Sequence, residues 1–236
     1  SKVLFCLGNQ NTIVSSHFLF AFSGARMSNR PNPRISSRKQ PKQARSTELV
    51  SAILEAAVQV LAEGGAQRFT TVRVAERAGV SVGSLYQYFP NKAAILFRLQ
   101  SDEWRQTTEQ WGAILGDTAR PPLERLRSLV HAFVRSEIEE AALRGALDDA
   151  APLYRDSDEA EQIHAEGDRI IERFMRDALP NIPDAGRRLA GDLVSTTVIA
   201  VGKDFSEAPR TDAEAHAYAD AMADMLCAYL RELERS

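Results

Sequence analysis

Apolar positions recur at three- and four-residue steps along most of the chain beyond residue 44, and no stretch alternates strictly enough to demand a strand. An all-α fold is the expectation. The densest signal lies over 70–96, TTVRVAERAGVSVGSLYQYFPNKAAIL. Thr70 or Thr71 can cap a short helix whose Val74, Ala75 and Ala78 share one face. Gly79 stands just past its end, where a left-handed backbone is cheapest for glycine, and Ser81 can cap a second short helix. Val80, Leu85 and Phe89 are its inward positions, which leaves Val82, Gly83, Ser84, Tyr86, Gln87 and Tyr88 for the other faces, none of them charged. Gly83 costs ~1 kcal/mol relative to alanine inside a helix, a penalty understandable where another backbone approaches closely. Pro90 ends this helix and Asn91 caps the next, whose Ile95, Leu96 and Leu99 resume the apolar stripe. Two short helices joined by so sharp a turn make a unit suited to reading DNA.

Downstream, turn residues divide the helical pattern. A helix over 91–115 carries Trp104 and Trp111 on one face and stops at Gly116 and Asp117. Pro121 and Pro122 open another, with Leu123, Leu126, Leu129, Val130, Phe133 and Val134 at helical spacing. Further helices are predicted over 143–150 and over 159–179, the latter turning Ile163, Ile170, Phe174 and Met175 inward before Pro180 and Pro183. The last two, over 185–201 and 211–233, have an apolar surface too wide for one neighbour. Ala215, Ala219, Met222, Leu226 and Tyr229 form one stripe, and Tyr218, Ala221, Met225 and Ala228 form a second beside it. One stripe can serve the chain's own core. The other needs a cover, and small residues such as Gly191, Ser195, Ala200, Ala217 and Ala221 permit close approach of a partner helix. A two-fold dimer that joins these helices in a four-helix bundle supplies it; an ordinary monomer core is the alternative.

Composition sharpens the division of labour. The net charge of −3 conceals eleven Lys and Arg against four acids over 27–100, a balance of +7, and sixteen against twenty-eight over 101–236, a balance of −12. A polyanion selects the first half. Cys6 and Cys227 imply no disulfide framework and fit a reducing cytoplasm, and the scattered His17, His131, His164 and His216 have no zinc spacing, so neither a metal nor a cofactor is expected. Residues 1–26 are apolar in patches but too broken to span a bilayer; a signal peptide is the lesser reading, and Met27 is the expected natural start. Residues 28–45, rich in Pro, Ser, Lys and Arg, read as a mobile basic arm able to touch phosphates or merely to be solvated.

The residues AGVSVGSLYQYF, the preceding STELVSAILEAAVQVLAEGGAQRFT and the closing NKAAIL resemble the DNA-binding domain of the TetR family of bacterial transcriptional regulators. The resemblance implies a leader and arm over 1–43, a three-helix helix-turn-helix domain over 44–92, and a helical effector-binding and dimerisation domain over 93–236. It implies a cytoplasmic homodimer that binds a double-stranded operator, is commonly a repressor, and is released by a small molecule, with no membrane partner. Carried over by position, Thr71 and Arg73 match the phosphate-facing start of the first short helix, and Val82, Gly83, Ser84, Gln87 and Tyr88 the groove-facing part of the second. Tyr86 matches a phosphate-binding aromatic, and Lys92 a cationic anchor. Gln87 has the geometry to read adenine and Val82 to pack on a thymine methyl. Against these roles, Tyr86 or Tyr88 can complete the small core, and Arg73 can be a solvated charge. Trp104, Trp111, His131, Phe133, Tyr154 and Phe174 are the candidate walls of an effector pocket, and Gly191, Ser195, Tyr218, Met222, Met225 and Tyr229 the candidate dimer contacts. Two rival classes are a helical enzyme, for which no phosphate loop, nucleophile elbow or metal motif appears, and an architectural DNA-binding protein without sequence preference.

Overall fold

The structure, a computed structural model, describes residues 44–141, 143, 144, 147 and 158–235. The leader, the basic arm up to residue 43, Tyr154 and much of the helix expected over 143–150 lie outside them, while Ala44 and Arg45 at the end of that arm belong to the first helix. The described residues include no strand. They form α1 (Ala44–Arg68), α2 (Thr71–Arg77), α3 (Val82–Tyr88), α4 (Lys92–Leu115), α5 (Pro122–Glu139), α6 (Asp158–Ala178), α7 (Asp184–Ser206) and α8 (Asp212–Arg235).

Capping defines the first four helices. Thr70 accepts from the Arg73 amide, Ser81 from Ser84 and Asn91 from Ala94, each satisfying a donor that the helix itself leaves unpaired. Gly79 turns the chain between α2 and α3 at φ 67°, and Gly65 breaks α1 before its last residues at φ 63°. α1 buries Ile53, Ala57, Val60 and Leu61 at helical spacing against Phe69, Val74, Leu85 and Phe89. The Arg77 guanidinium fastens α2 to α1 by donating to both Glu63 carboxylate oxygens at 2.7 Å.

α4 belongs to two cores. Its first part, from Ala94 to Leu99, completes the core of the small N-terminal head, while Trp111 and Leu115 enter the larger core built with α5 to α8. Leu147, from the segment after α5, is fully buried in the head core. At the far end of α4 the buried Arg125 donates to the Leu115 carbonyl at 2.6 Å and pairs with Asp177, so that a carbonyl without a helical partner is satisfied.

α7 runs to Ser206, beyond the end expected near 201. Gly202 acts there as a packing residue and not as a stop, for a Cβ in its place would come within 2.9 Å of the Phe133 ring. Thr211 and Glu214 cap α8 reciprocally, amide to side chain in both directions. The two stripes on α8 separate as their spacing predicts: Ala219, Met222 and Leu226 are buried, whereas Ala221, Met225 and Ala228 are exposed. α7 adds Leu189 and Leu193, 66% and 47% exposed, on an outward face. Three expected dimer contacts are corrected. Gly191 packs where a Cβ would meet Ile171 at 2.9 Å, Ser195 is buried and donates to the Gly191 carbonyl, and Met222 lies in the protomer's own core. Tyr218 and Tyr229 are half-buried, with the Tyr218 ring stacked on Phe205 at 3.8 Å between centroids. No helix among the described residues is long and apolar enough to cross a membrane.

Candidate nucleic-acid interface and effector cavity

Capping and burial together decide which side chains of the head face outward. Leu85 and Phe89 anchor α3 to the core, so Gly83, Tyr86 and Gln87 are turned to solvent, with Val82 and Ser84 half-buried at its start. The Tyr86 hydroxyl lies 3.1 Å from Thr71 Oγ1, which fixes the beginning of α2 beside the middle of α3. Ser81 and Ser84 hydroxyls are 2.8 Å apart. Arg73 is exposed and reaches back to the Arg68 carbonyl at 3.4 Å, and Lys92 is exposed at the first turn of α4. Thr71, Arg73, Ser84, Tyr86, Gln87 and Lys92 are thus side chains presented by adjoining elements. An added Cβ at Gly83 would meet nothing nearer than Ser81 Oγ at 3.8 Å, so no packing within the protein requires glycine there.

Tyr88 is the exception among the groove-facing candidates. It is only 6% exposed and packs with the head core, because α3 ends at this residue and Phe89 leaves with an extended backbone, φ −117° and ψ 112°. Val72, 48% exposed between Thr71 and Arg73, is an outward apolar residue that sequence reasoning passed over.

The expected effector walls divide. Trp104, Trp111 and Phe133 do meet, in a cavity of about 40 Å³ among α4, α5, α6 and α7, together with Glu103, Thr107, Arg144, Ile163, His164 and Ile199. Trp111 meets Phe133 edge-on at 5.7 Å, and Trp104 faces the His164 ring at 5.2 Å. His131 lies elsewhere, 3.0 Å from Asp220 in a bridge from α5 to α8 that also includes His216. Phe174 is core, with the Arg125 guanidinium 5.6 Å above its ring. Sequence spacing did not single out Arg144, whose guanidinium reaches Glu103 at 2.7 Å, Glu137 at 2.8 Å and Glu140 at 3.2 Å. Burial, the largest influence, raises the Glu103 carboxyl above its usual range, while Arg144 pulls it down less strongly.

Comparison with known proteins bears on both halves. Residues 53–99 match the family described as "Bacterial regulatory proteins, tetR family", and residues 121–233 match "Tetracyclin repressor-like, C-terminal domain". Among curated relatives, the HTH-type transcriptional repressor KstR of Rhodococcus jostii is 30% identical over 131 residues, which is 54% of this chain and 60% of that protein. The fatty acid metabolism regulator protein of Bacillus subtilis is 40% identical over 58 residues, 25% of this chain and 30% of its own length. The match thus spans about three fifths or less of these relatives. A Thermobifida fusca TetR/AcrR-family regulator aligns with TM-score 0.61 and 20% identity over 76% of this chain and 97% of its own, and Bacillus subtilis FadR in complex with stearoyl-CoA with TM-score 0.56 and 18% identity over 75% and 97%. These two solved structures share the fold. With both domains matched in order along one helical chain, this protein belongs to the TetR family of bacterial regulatory proteins.

Proposed function

We propose that the chain is a sequence-specific DNA-binding transcriptional regulator, a cytoplasmic homodimeric repressor released from its operator by a small molecule. The observation that carries this reading is the uncharged outer face of α3, with Gln87 and Gly83 exposed while Leu85, Tyr88 and Phe89 hold the helix rigidly to the head. Gln87 and Val82 read bases beside a groove-facing Ser84, Gly83 admits the DNA backbone, and Thr71, Arg73, Tyr86 and Lys92 hold phosphates. The outward stripe of Leu189, Leu193, Ala221, Met225 and Ala228 joins two protomers, which places two reading heads on one duplex.

The coupling runs along α4, which is continuous from the head core to the cavity. A cavity of about 40 Å³ holds a few water-sized groups, so a larger occupant has to part α4 from α6 and thereby shifts the head. A tenfold loss of DNA affinity needs about 1.4 kcal/mol of differential binding between the two arrangements. The test is selection of bound genomic fragments, then titration of the selected duplex against a random one. A regulator shows a large specificity ratio, an architectural protein none, and an enzyme weak binding to both.

A further inference from the structure

Rings line the cavity from three helices: Trp104 and Trp111 of α4, Phe133 of α5 and His164 of α6, with Ile163 and Ile199 beside them. Trp111 meets Phe133 edge-on at 5.7 Å, and the half-buried Trp104 stands 5.2 Å from the His164 ring at 53°. The α6 wall is unlike the α4 wall. Ile163, His164 and Gly167 share one arc of α6, being three and four residues apart, and all three line the cavity. Gly167 is buried near the middle of that helix. Glycine is among the least favourable residues in a helix interior, and at this position it turns bare backbone, in place of a side chain, toward the cavity. An indole from one helix facing bare backbone on the next bounds a flat space.

We propose that this slot takes a planar aromatic ring, so that the effector is an aromatic compound. The inference rests on the reading of the chain as a ligand-released regulator. A flat ring lies between Trp104 and Gly167, stacks on the indole face and turns an edge toward Trp111 and Phe133. Aromatic pairs gain from offset-stacked and edge-to-face arrangements beyond the area they bury. A saturated ring of the same skeleton has no π-face, is thicker, and meets the Gly167 backbone before it can lie against the indole. The cavity of about 40 Å³ is smaller than a ring, so seating one parts α4 from α6, which is the movement that release requires.

Both tryptophans of the chain line the cavity, so intrinsic fluorescence reports on it directly. The experiment titrates the purified full chain with 4-phenylbutan-1-ol and 4-cyclohexylbutan-1-ol, which share one tail and one hydroxyl and differ only in the ring. The cyclohexyl compound is the more apolar, so a cavity that selects by burial alone prefers it. The phenyl compound is expected to shift tryptophan emission at a concentration at least fivefold lower. Gly167→Ala is expected to weaken phenyl binding at least tenfold and to leave the thermal midpoint at or above that of the wild type, since alanine favours the helix and its methyl fills only the slot. Equal or tighter binding of the cyclohexyl compound overturns the proposal, as does absence of any response up to millimolar phenyl compound or unchanged phenyl binding in the variant. A variant that melts lower or does not fold also overturns the slot, because its methyl then meets protein atoms; the comparison of the two probes needs no variant. Operator binding is followed in parallel. Its absence defeats the regulatory reading and leaves a ring preference standing, whereas intact operator binding with no ring preference defeats only the aromatic inference.

Discussion

Gln87 and Tyr88 are adjacent on α3, yet one is exposed and the other 6% exposed, and the difference assigns them to separate tasks. Gln87→Ala is expected to leave stability within ~0.5 kcal/mol and to relax discrimination at one base pair by ~1–3 kcal/mol, read by titrating single-base operator variants. Tyr88→Ala is expected to destabilise the head by ~3 kcal/mol or more in urea unfolding, and Tyr88→Phe to keep operator binding. Lys92→Ala is expected to weaken every duplex alike and to lower the salt slope by about one. For Glu103 the sign follows from its raised pKa: the folded chain holds the proton more tightly, so its contribution to stability is greatest in acid and falls as pH rises from 4.5 through the folded value. Comparing wild type with Glu103→Gln across that range isolates it from Glu137, Glu140, Arg144 and His164 around the cavity. A gap that stays constant with pH contradicts the assignment. The caps Ser81 and Asn91, and Thr70 as one of two candidates with Thr71, were legible because each acts on an amide three residues away. The spacing leaves Tyr88 between groove and core, since a helix of seven residues has too few turns to separate its inner from its outer arc.

At the scale of elements, α4 and the segment carrying Arg144 and Leu147 both connect cavity to head: Arg144 pairs with Glu103 at the cavity, and Leu147 is buried with the head core. Leu147→Ala is expected to cost ~2–5 kcal/mol, with the loss seen first in exchange protection of α1 to α3. The outward stripe on α7 and α8 makes a separate prediction. Leu193→Asp combined with Met225→Asp is expected to yield folded, helical monomers in sedimentation, since both positions are exposed within the protomer, and a mixture that remains dimeric contradicts the placement of the interface. The existence of two stripes was readable from spacing alone. Which small residues served which neighbour was not, because Gly191 and Ser195 allow close packing equally well on a partner helix or within the protomer, and only the tertiary arrangement sets Gly191 against α6 and buries Ser195 with its hydroxyl on the Gly191 carbonyl. The Glu103 and Arg144 pairing was hidden for the same reason: the rest of α4, a turn and α5 separate its members, and no local period joins them.

Over the whole molecule, the +7 of residues 27–100 and the −12 of residues 101–236 keep the nucleic-acid partner at one end and repel it from the other. In the proposed dimer, two such chains joined through α7 and α8 are expected to present two α3 helices to successive major grooves, about 34 Å apart, which would turn a short uncharged reading surface into a selective one. Charge division and helix order are legible along the chain, whereas the cavity is not, since it is lined by residues from four helices and from the segment after α5. The central claim is selective capture of duplex DNA by paired heads. Its most direct test is the affinity of the purified chain for its selected operator relative to a random duplex of equal length, at physiological salt, with the bound stoichiometry measured in the same complex. A ratio of at least ~10³, with an even number of chains per operator and loss of the preference in Gln87→Ala, is the predicted result. A ratio near one, or selective binding by a single chain, contradicts it.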